Sequence, residues 1–549
     1  MTIDQERPDE AWPAALPSDT RSGAGWHPEP ALLDMRDAAD SRAALERLGR
    51  DVWATALDYV FEHATQRAVG APADYQQLRQ VFFGPTGRPA PAPQEPAAIE
   101  ALLAEFRERL SPHQSNAWHP RYYAYYTPTP LWSSIAGEVL SQVLHQGVDV
   151  WHCSPSGALV EEEVVAWLCA LVGYDQRSFG LFTSGGVMAN IMAMNVARDI
   201  HLRRLRGTDH PPRGAELDGA RVYVSDQAHF SLRRSLDTLG FPRDALVVLP
   251  SDEHLRLRAD VVAAAVASDR AEGGTPLAVV GTAGTTNTGA IDDLPGLADV
   301  AAAEELWFHV DAAYAGAARL SERLATRVPA LERADSVTID PHKWFFQAYD
   351  IGGLLLKDGS HLEATFGYRP EYYRGTGDPG RARDAHGSDE LDFYRLSIEG
   401  TRRFRALKLW LSWKHLGTRG LGRLVERTVA LADELKARIE SSHDLELAPE
   451  SDLSVVCFRH LPDGVDGPDE ASRIEVDIHQ DALQAALQHS GRGFLTTTRI
   501  RGRTWLRAGI LNHSATEADV ALLLDDLRAL ADERRAAHPP GGVTNGLGG

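Results

Sequence analysis

Apolar residues recur at helical spacing from about Ala31 to Ala68, which predicts an opening helical segment. A Pro/Ala-rich stretch from Gly84 to Pro96 reads as a linker, and a short helix is expected over Ala97–Leu110. An aromatic segment follows, His119-Pro120-Arg121-Tyr122-Tyr123-Ala124-Tyr125-Tyr126. From about Leu131 the pattern changes. Helical stretches at Ser133–His145 and Leu159–Val172 lead into short apolar runs at Phe179–Thr183, Arg221–Ser225, Leu277–Gly281, Leu306–Val310 and Ser336–Ile339. Helical spacing separates most of these runs. That alternation predicts an α/β fold with a mainly parallel sheet covered on both faces. Helices are expected at Arg402–Leu416 and Leu421–Ile439, then strands at Ser454–Phe458, Thr496–Ile500 and Thr504–Ile510, and a last helix over about Glu517–Ala536. The pattern divides the chain into an N-terminal helical segment (31–130), a large domain (131–405) and a smaller α+β C-terminal domain (406–538). The Pro- and Gly-rich ends, 1–30 and 539–549, are predicted to be disordered.

Composition narrows the function. Hydrophobic residues make up 43% of the 549 and charged residues 24%, as in an ordinary globular protein. The net charge of −21 argues against a general binder of nucleic acid or anionic membrane, either of which wants a basic face. Cys153, Cys169 and Cys457 are scattered and odd in number. They suggest neither a disulfide framework nor a metal site, and fit a reducing compartment. The N-terminus has no basic and apolar leader pattern, and no apolar run is long enough to span a bilayer. A cytoplasmic protein is expected.

The candidate chemistry lies just past the ends of the predicted strands, where ligands of such sheets sit. Asp340-Pro341-His342-Lys343-Trp344 offers a lysine after an apolar run, and His309-Val310-Asp311-Ala312-Ala313-Tyr314 offers a carboxylate after an earlier one. A pyridoxal 5'-phosphate (PLP) site needs both: an amine to hold the aldehyde and an acid to keep the ring nitrogen protonated. Burial is expected to lower the lysine's pKa so that it can act as a neutral amine. The small Ala312 and Ala313 leave room for a flat ring beside the backbone. Gly185-Gly186, between a strand and a helix, suits a phosphate, because free N–H groups and the helix dipole favour an anion there. His229, in Ser225-Asp226-Gln227-Ala228-His229, is placed to stack on such a ring. Gly284-Thr285-Thr286 is a polar turn after another strand.

These residues, in this order, resemble the group II PLP-dependent amino-acid decarboxylases, including the aromatic-L-amino-acid decarboxylases. The most specific pieces are His309–Gly316, Pro341–Trp344, Ser225–His229 and Arg402–Trp410, and the match runs from about His119 to Arg405. The resemblance implies the fold-type I PLP architecture, with a seven-stranded-type sheet and an N-terminal helical arm that embraces the partner of a homodimer whose active site lies at the interface. It implies that Lys343 holds the cofactor, Asp311 pairs with its ring nitrogen and His229 stacks on it. Gly186 and Val187 fall at the phosphate turn, and Thr286 and Asp340 at cofactor-contacting positions. His342 and Ala313 join this set. Asp340 departs from the aromatic-amino-acid members, which carry asparagine there. Tyr372 resembles the tyrosine that returns a proton to the substrate carbon, with Tyr373 adjacent. Arg507 resembles an arginine that contacts the substrate carboxylate in some members; a salt-bridged strand arginine is the alternative.

The expected reaction is decarboxylation of an L-amino acid to its amine and carbon dioxide. Aromatic substrates rank first, because Tyr125 and Tyr126 fall where aromatic-acid members line their pocket. Asp149 falls where those members have phenylalanine, and a carboxylate there fits a basic side chain. Aliphatic (valine-like), acidic or diamino acids are therefore the alternative. An aminotransferase or cysteine desulfurase shares the lysine and aspartate, and a non-catalytic PLP-fold protein is a third class.

Overall fold

The computed structural model describes residues 38–61, 68–70, 74–368, 391–449, 452–462 and 469–537. The expectations for both chain ends and for Tyr372 and Tyr373 lie outside the described residues. The chain forms two compact units, one from 1–62 with 73–113, the other from 63–72 with 114–549.

The first unit is helical. It holds α1 (Ala38–Phe61), α2 (Tyr75–Phe83) and α3 (Ile99–Glu105), the last continuing as a wider turn of helix through Leu110. Asp74 starts α2 through a reciprocal cap with Gln77, which satisfies two end N–H groups. Arg107 Nη1 donates to Thr55 Oγ1 at 2.7 Å, tying the third helix to the first.

The second unit carries a seven-stranded sheet: β1 (Phe179–Thr183), β2 (Ala220–Ser225), β3 (Leu246–Leu249), β4 (Thr275–Thr282), β5 (Trp307–Asp311), β6 (Ser336–Ile339) and β7 (Gly352–Leu356). Their order is β1-β7-β6-β5-β4-β2-β3. Strands β3, β2, β4, β5 and β6 run parallel, while β7 is antiparallel to both neighbours. All five residues of β5 are buried, as expected of a parallel strand covered on both faces. The five runs read from the sequence are strands within one or two residues at each end. β3 and β7 were not foreseen.

Helix α4 (Trp132–Leu144) and α5 (Pro155–Val172) precede the sheet, and α6 (Gly186–Val196) follows β1. The expected pair of helices near 402–439 is present as the kinked element α7 (Ala406–Glu440), whose two helices are separated at Gly417, where a φ of 67° leaves the helical region. A second, antiparallel sheet follows in the order β10-β11-β9-β8: β8 (Leu445–Leu447), β9 (Val455–His460), β10 (Thr496–Ile500) and β11 (Arg503–Gly509). Its core is shared with α8 (Glu470–Ser490) and α9 (Glu517–Ala537), through Leu483, Leu487, Leu523 and Leu527.

One ion pair joins these layers. Arg402 and Glu161, both fully buried, meet between α5, β1 and the start of α7. Arg402 also donates to the carbonyls of Val148 (3.0 Å) and Phe182 (2.7 Å), and Glu161 accepts from the Phe182 N–H at 2.9 Å. Removing one partner strands the other charge without water. Arg402→Ala should therefore lower unfolding free energy by about 3–5 kcal/mol, read by denaturant titration, and Arg402→Met with Glu161→Gln should lose less than Arg402→Ala alone.

Candidate active site

At the C-terminal ends of the parallel strands lies a cavity of about 430 Å³, lined among others by Gly186, Val187, His229, Thr286, Asp311, Ala313, Asp340, His342 and Lys343. The fold thus brings all nine residues singled out for the cofactor to one place. Tyr126 lines the same cavity.

Asp311 ends β5 and is 7% exposed. Its Oδ2 accepts from Asn190 Nδ2 at 2.9 Å and its Oδ1 from the Ala313 N–H at 3.2 Å. Lys343 follows β6 through a turn in which its own N–H bonds the Asp340 carbonyl. Its Nζ lies 3.1 Å from Asp340 Oδ2 and 5.6 Å from the centre of the Tyr126 ring. Burial pushes the lysine's pKa down, but Asp340 and Asp311 together push it up further, so it sits above its ordinary value. This corrects the expectation that burial alone would neutralise the amine. Two nearby carboxylates favour the ammonium, and Asp340 is the acceptor within reach of its proton.

His229, just past β2, is lowered by burial, against the opposing pull of Asp311. His342 Nδ1 donates to the Ile351 carbonyl at 2.6 Å, and its ring packs on Tyr349 at 4.8 Å. Its pKa is lowered by burial, with Asp340 opposing.

The glycine turn is shaped for a large anion. A Cβ on Gly186 would lie 2.8 Å from Asp340 Oδ2, and one on Gly352 would lie 2.4 Å from the Gly185 Cα. Only bare backbone fits there. At the start of helix α6 the Ala189 N–H donates to the Gly185 carbonyl at 3.1 Å. The preceding N–H groups at the α6 start are thus left for a ligand, as at any helix N-terminus. Asp340 Oδ1 is buried without a hydrogen-bond partner among the described residues. Lysine, carboxylate, flat-ring histidine and N–H cradle together fit PLP.

The substrate-side expectations fare differently. Tyr126 donates to the Thr285 carbonyl at 3.0 Å and packs on Tyr314 with ring centres 4.5 Å apart. Arg507 lies over the Tyr126 ring, 4.7 Å from its centre. Its Nε donates to the carbonyls of Thr286 (3.2 Å) and Asn287 (3.0 Å). Its Nη2 is buried without a partner, and no described carboxylate forms an ion pair with it. Tyr125 does not line the cavity. It has a φ of 57°, is 59% exposed and meets Phe494 edge-on. The chain turns at Tyr125 and Tyr126, and only Tyr126 faces the cavity. Asp149 is also absent from the cavity wall. It sits in the loop after α4, where its carbonyl accepts from the Tyr394 N–H and burial raises its pKa.

Asn190, Phe230, Tyr314 and Tyr349 are among the wall residues to which the sequence reading gave no role. Tyr349 lies six positions beyond Lys343, on the strand-to-strand connection that β7 creates. Its hydroxyl pairs with Thr127 Oγ1 at 3.2 Å. Phe230 was hidden by the motif beside it, and its ring packs on His229 at 4.2 Å.

The conserved domain of the pyridoxal-dependent decarboxylases matches residues 85–461. The chain belongs to that family. It is 31% identical over 421 residues to an aromatic-L-amino-acid decarboxylase of Bacillus atrophaeus, covering 77% of this chain and 83% of that protein. It is 33% identical over 494 residues to an L-2,4-diaminobutyrate decarboxylase of Rhizobium meliloti (strain 1021), covering 90% and 93%. Among solved structures, mouse CSAD in apo form superposes with a TM-score of 0.79 at 27% identity, covering 89% of this chain and 99% of that one. This decarboxylase has the fold-type I architecture and is a PLP-dependent carboxy-lyase acting on an amino acid. Among its described residues no helix is long and apolar enough to cross a membrane.

Beneath the site, His309 is fully buried and pushed down to about 4 by burial, with Asp311 opposing. The decarboxylase therefore folds around the neutral ring, and the unfolded chain takes up the proton first as pH falls. The His309 contribution is complete above pH 6.5 and should be lost between 6.5 and 4, at roughly 3 kcal/mol in all. Melting of wild type and His309→Gln across that window should show the wild type losing more stability, with the two curves converging at acid pH.

Proposed function

We propose that this decarboxylase converts an aromatic L-amino acid to its amine. The observation that carries the reading is the wall facing Lys343: Tyr126, Phe230, Tyr314 and Tyr349 offer flat apolar surface. The two carboxylates on that wall, Asp311 and Asp340, are engaged by Asn190 and Lys343. An aromatic side chain gains from such surface, whereas a basic one needs a carboxylate that is free to pair. A diamino acid is the second reading, favoured by the diaminobutyrate decarboxylases among the relatives. Asp149, standing off the wall of its own chain, is the group that reading would call on. Aliphatic and acidic substrates rank behind both.

When bound, PLP supplies an aldehyde for the substrate amine and a protonated ring that accepts the electron pair left by departing carbon dioxide. The protein's residues do the rest. Lys343 would hold the aldehyde, with Asp340 as the hydrogen-bond acceptor beside its nitrogen. Asp311 keeps a proton at the ring nitrogen, as an opposite charge favours the cation. The N–H groups at the start of α6, near Gly186 and Val187, hold the phosphate with Thr286, while Ala313 leaves space and His342 fixes the Asp340 turn. Arg507, anchored through Nε behind Tyr126 and not itself on the cavity wall, keeps an unpartnered Nη2 and is the candidate for the substrate carboxylate. His229 or Tyr372 returns the proton to the substrate carbon.

The active unit is a homodimer in the cytoplasm. Val139, Leu140, Val143 and Leu144 on α4 are each about half exposed or more, and Leu159 of α5 is 51% exposed. An apolar face of this kind asks for cover, and a second copy supplies it. The rival desulfurase needs an accessible, low-pKa thiol. Cys457 is buried, its thiol pushed up to about 12 by burial.

Two measurements test the reading. Carbon dioxide release across the standard L-amino acids and 2,4-diaminobutyrate should be highest for an aromatic acid, by tenfold or more. A maximum at 2,4-diaminobutyrate would transfer the assignment to the second reading. Lys343→Ala should lose the visible absorbance of the bound cofactor and at least a thousandfold in kcat. Wild-type turnover in that variant would remove Lys343 from the mechanism.

A further inference from the structure

Asn190 lies on the buried side of α6 and is 1% exposed. Its amide nitrogen donates to Asp311 Oδ2 (2.9 Å) and to Ser231 Oγ (2.8 Å). Its oxygen accepts from the Thr338 hydroxyl (2.6 Å) and from His309 Nε2 (3.1 Å). The orientation is forced, because an ionised carboxylate only accepts and so must face the NH2 group.

The same logic runs outward in both directions. The amide oxygen only accepts, so His309 carries its proton on Nε2. His309 is neutral, its pKa pushed down to about 4 by burial, so its Nδ1 is bare and accepts from the Ser336 hydroxyl at 2.8 Å. Ser336 Oγ in turn accepts from the Trp307 indole N–H at 2.9 Å. On the other branch, Ser231 Oγ takes one amide hydrogen and keeps its own for His229 Nδ1, 2.9 Å away. The Ser231 backbone N–H points at the same nitrogen, at 3.3 Å. His229 Nδ1 is therefore the acceptor of two bonds, and its proton sits on Nε2. Every hydrogen from Trp307 to His229 has one permitted direction.

We propose that Asn190 is a positioning residue that sets two groups at once: it holds Asp311 as a fixed acceptor and, through Ser231, fixes His229 in the Nε2–H form. The inference rests on the reading of Asp311 and His229 as cofactor contacts. It adds that their orientation is coupled through one amide, whose own hydrogen bonds go to Asp311, Ser231, Thr338 and His309.

Asn190→Asp keeps the shape but turns an acceptor toward Asp311 and Ser231, and sets two carboxylates face to face. In the holoenzyme it should raise the cofactor dissociation constant at least tenfold, read by equilibrium dialysis. It should lower kcat at least a hundredfold with KM within threefold. Ser231→Ala cuts only the second branch and should leave cofactor affinity within twofold. A bond donated to a bare ring nitrogen stabilises the neutral imidazole, so its loss raises the pKa of His229. The acid limb of the kcat/KM profile should then move up by half a unit or more, and Ser231→Thr should restore it. The charged groups that face His229 are Asp311, Lys343, Asp340 and Arg234, and none is altered in these variants. Asn190→Asp with both constants within threefold of wild type overturns the proposal. So does an unmoved acid limb in Ser231→Ala, which carries the test if Asn190→Asp does not fold. Asp311→Asn is the control. Unchanged cofactor affinity there sinks the site reading itself, whereas loss there with an indifferent Asn190→Asp sinks only the coupling.

Discussion

A carboxylate held almost out of water at the end of β5 is what the rest of this structure is arranged around. Burying Asp311 without partners would cost several kcal/mol. The fold supplies an amide N–H from α6, a backbone N–H from Ala313 and the positive field of Lys343. Each comes from the connection that follows a different strand. The carboxylate can keep its charge only if β1, β5 and β6 stop in register, so that α6, the Ala313 turn and the Lys343 turn converge on one cavity. The parallel order β4-β5-β6 fixes two of those ends, and the antiparallel insertion of β7 between β6 and β1 sets the third.

The second acid plays a different part. Asp340 Oδ2 pairs with Lys343 while Oδ1 has no partner among the described residues. Half-satisfied buried carboxylates are unstable arrangements unless something later completes them. Asp340 also crowds the glycine turn, so its charge stands beside the cradle proposed for a phosphate. A carboxylate in that position works against a dianion unless a proton lies between them.

The strands with unbroken apolar runs were legible from the sequence, because a strand buried on both faces needs nothing else. β3 and β7 were not. β3 is only Leu246–Leu249 at the sheet edge, with half its surface open, and β7 opens on Gly352-Gly353, which reads as a loop. The two helices of α7 were legible as a pair because Gly417 ends the first of them, and its non-helical backbone makes the kink. For the site, lysine, aspartate and glycine turn were visible because their chemistry restricts residue type. The buried amide of Asn190 and the ring of Tyr349 have no such signature. Asn190 looks like any polar residue in a helix, and Tyr349 reaches the cavity only because β7 doubles back.

Tyr125 and Asp149 teach a related point about substrate walls. Both were assigned by position against other sequences, and both stand off the cavity of their own chain. Sequence identity cannot choose between an aromatic and a diamino substrate when relatives of both kinds stand at 31% and 33%. Much of what they share is the machinery for the cofactor, which is blind to the side chain being processed. Discrimination has to come from surface that the cofactor does not use. On this wall that surface is aromatic; Asp311 is held by Asn190 and the Ala313 N–H, and Asp340 is paired with Lys343 through Oδ2 alone. On the aromatic reading proposed above, a ring gains from this surface, whereas a basic side chain would have to compete with Lys343 for Asp340 or with Asn190 for Asp311.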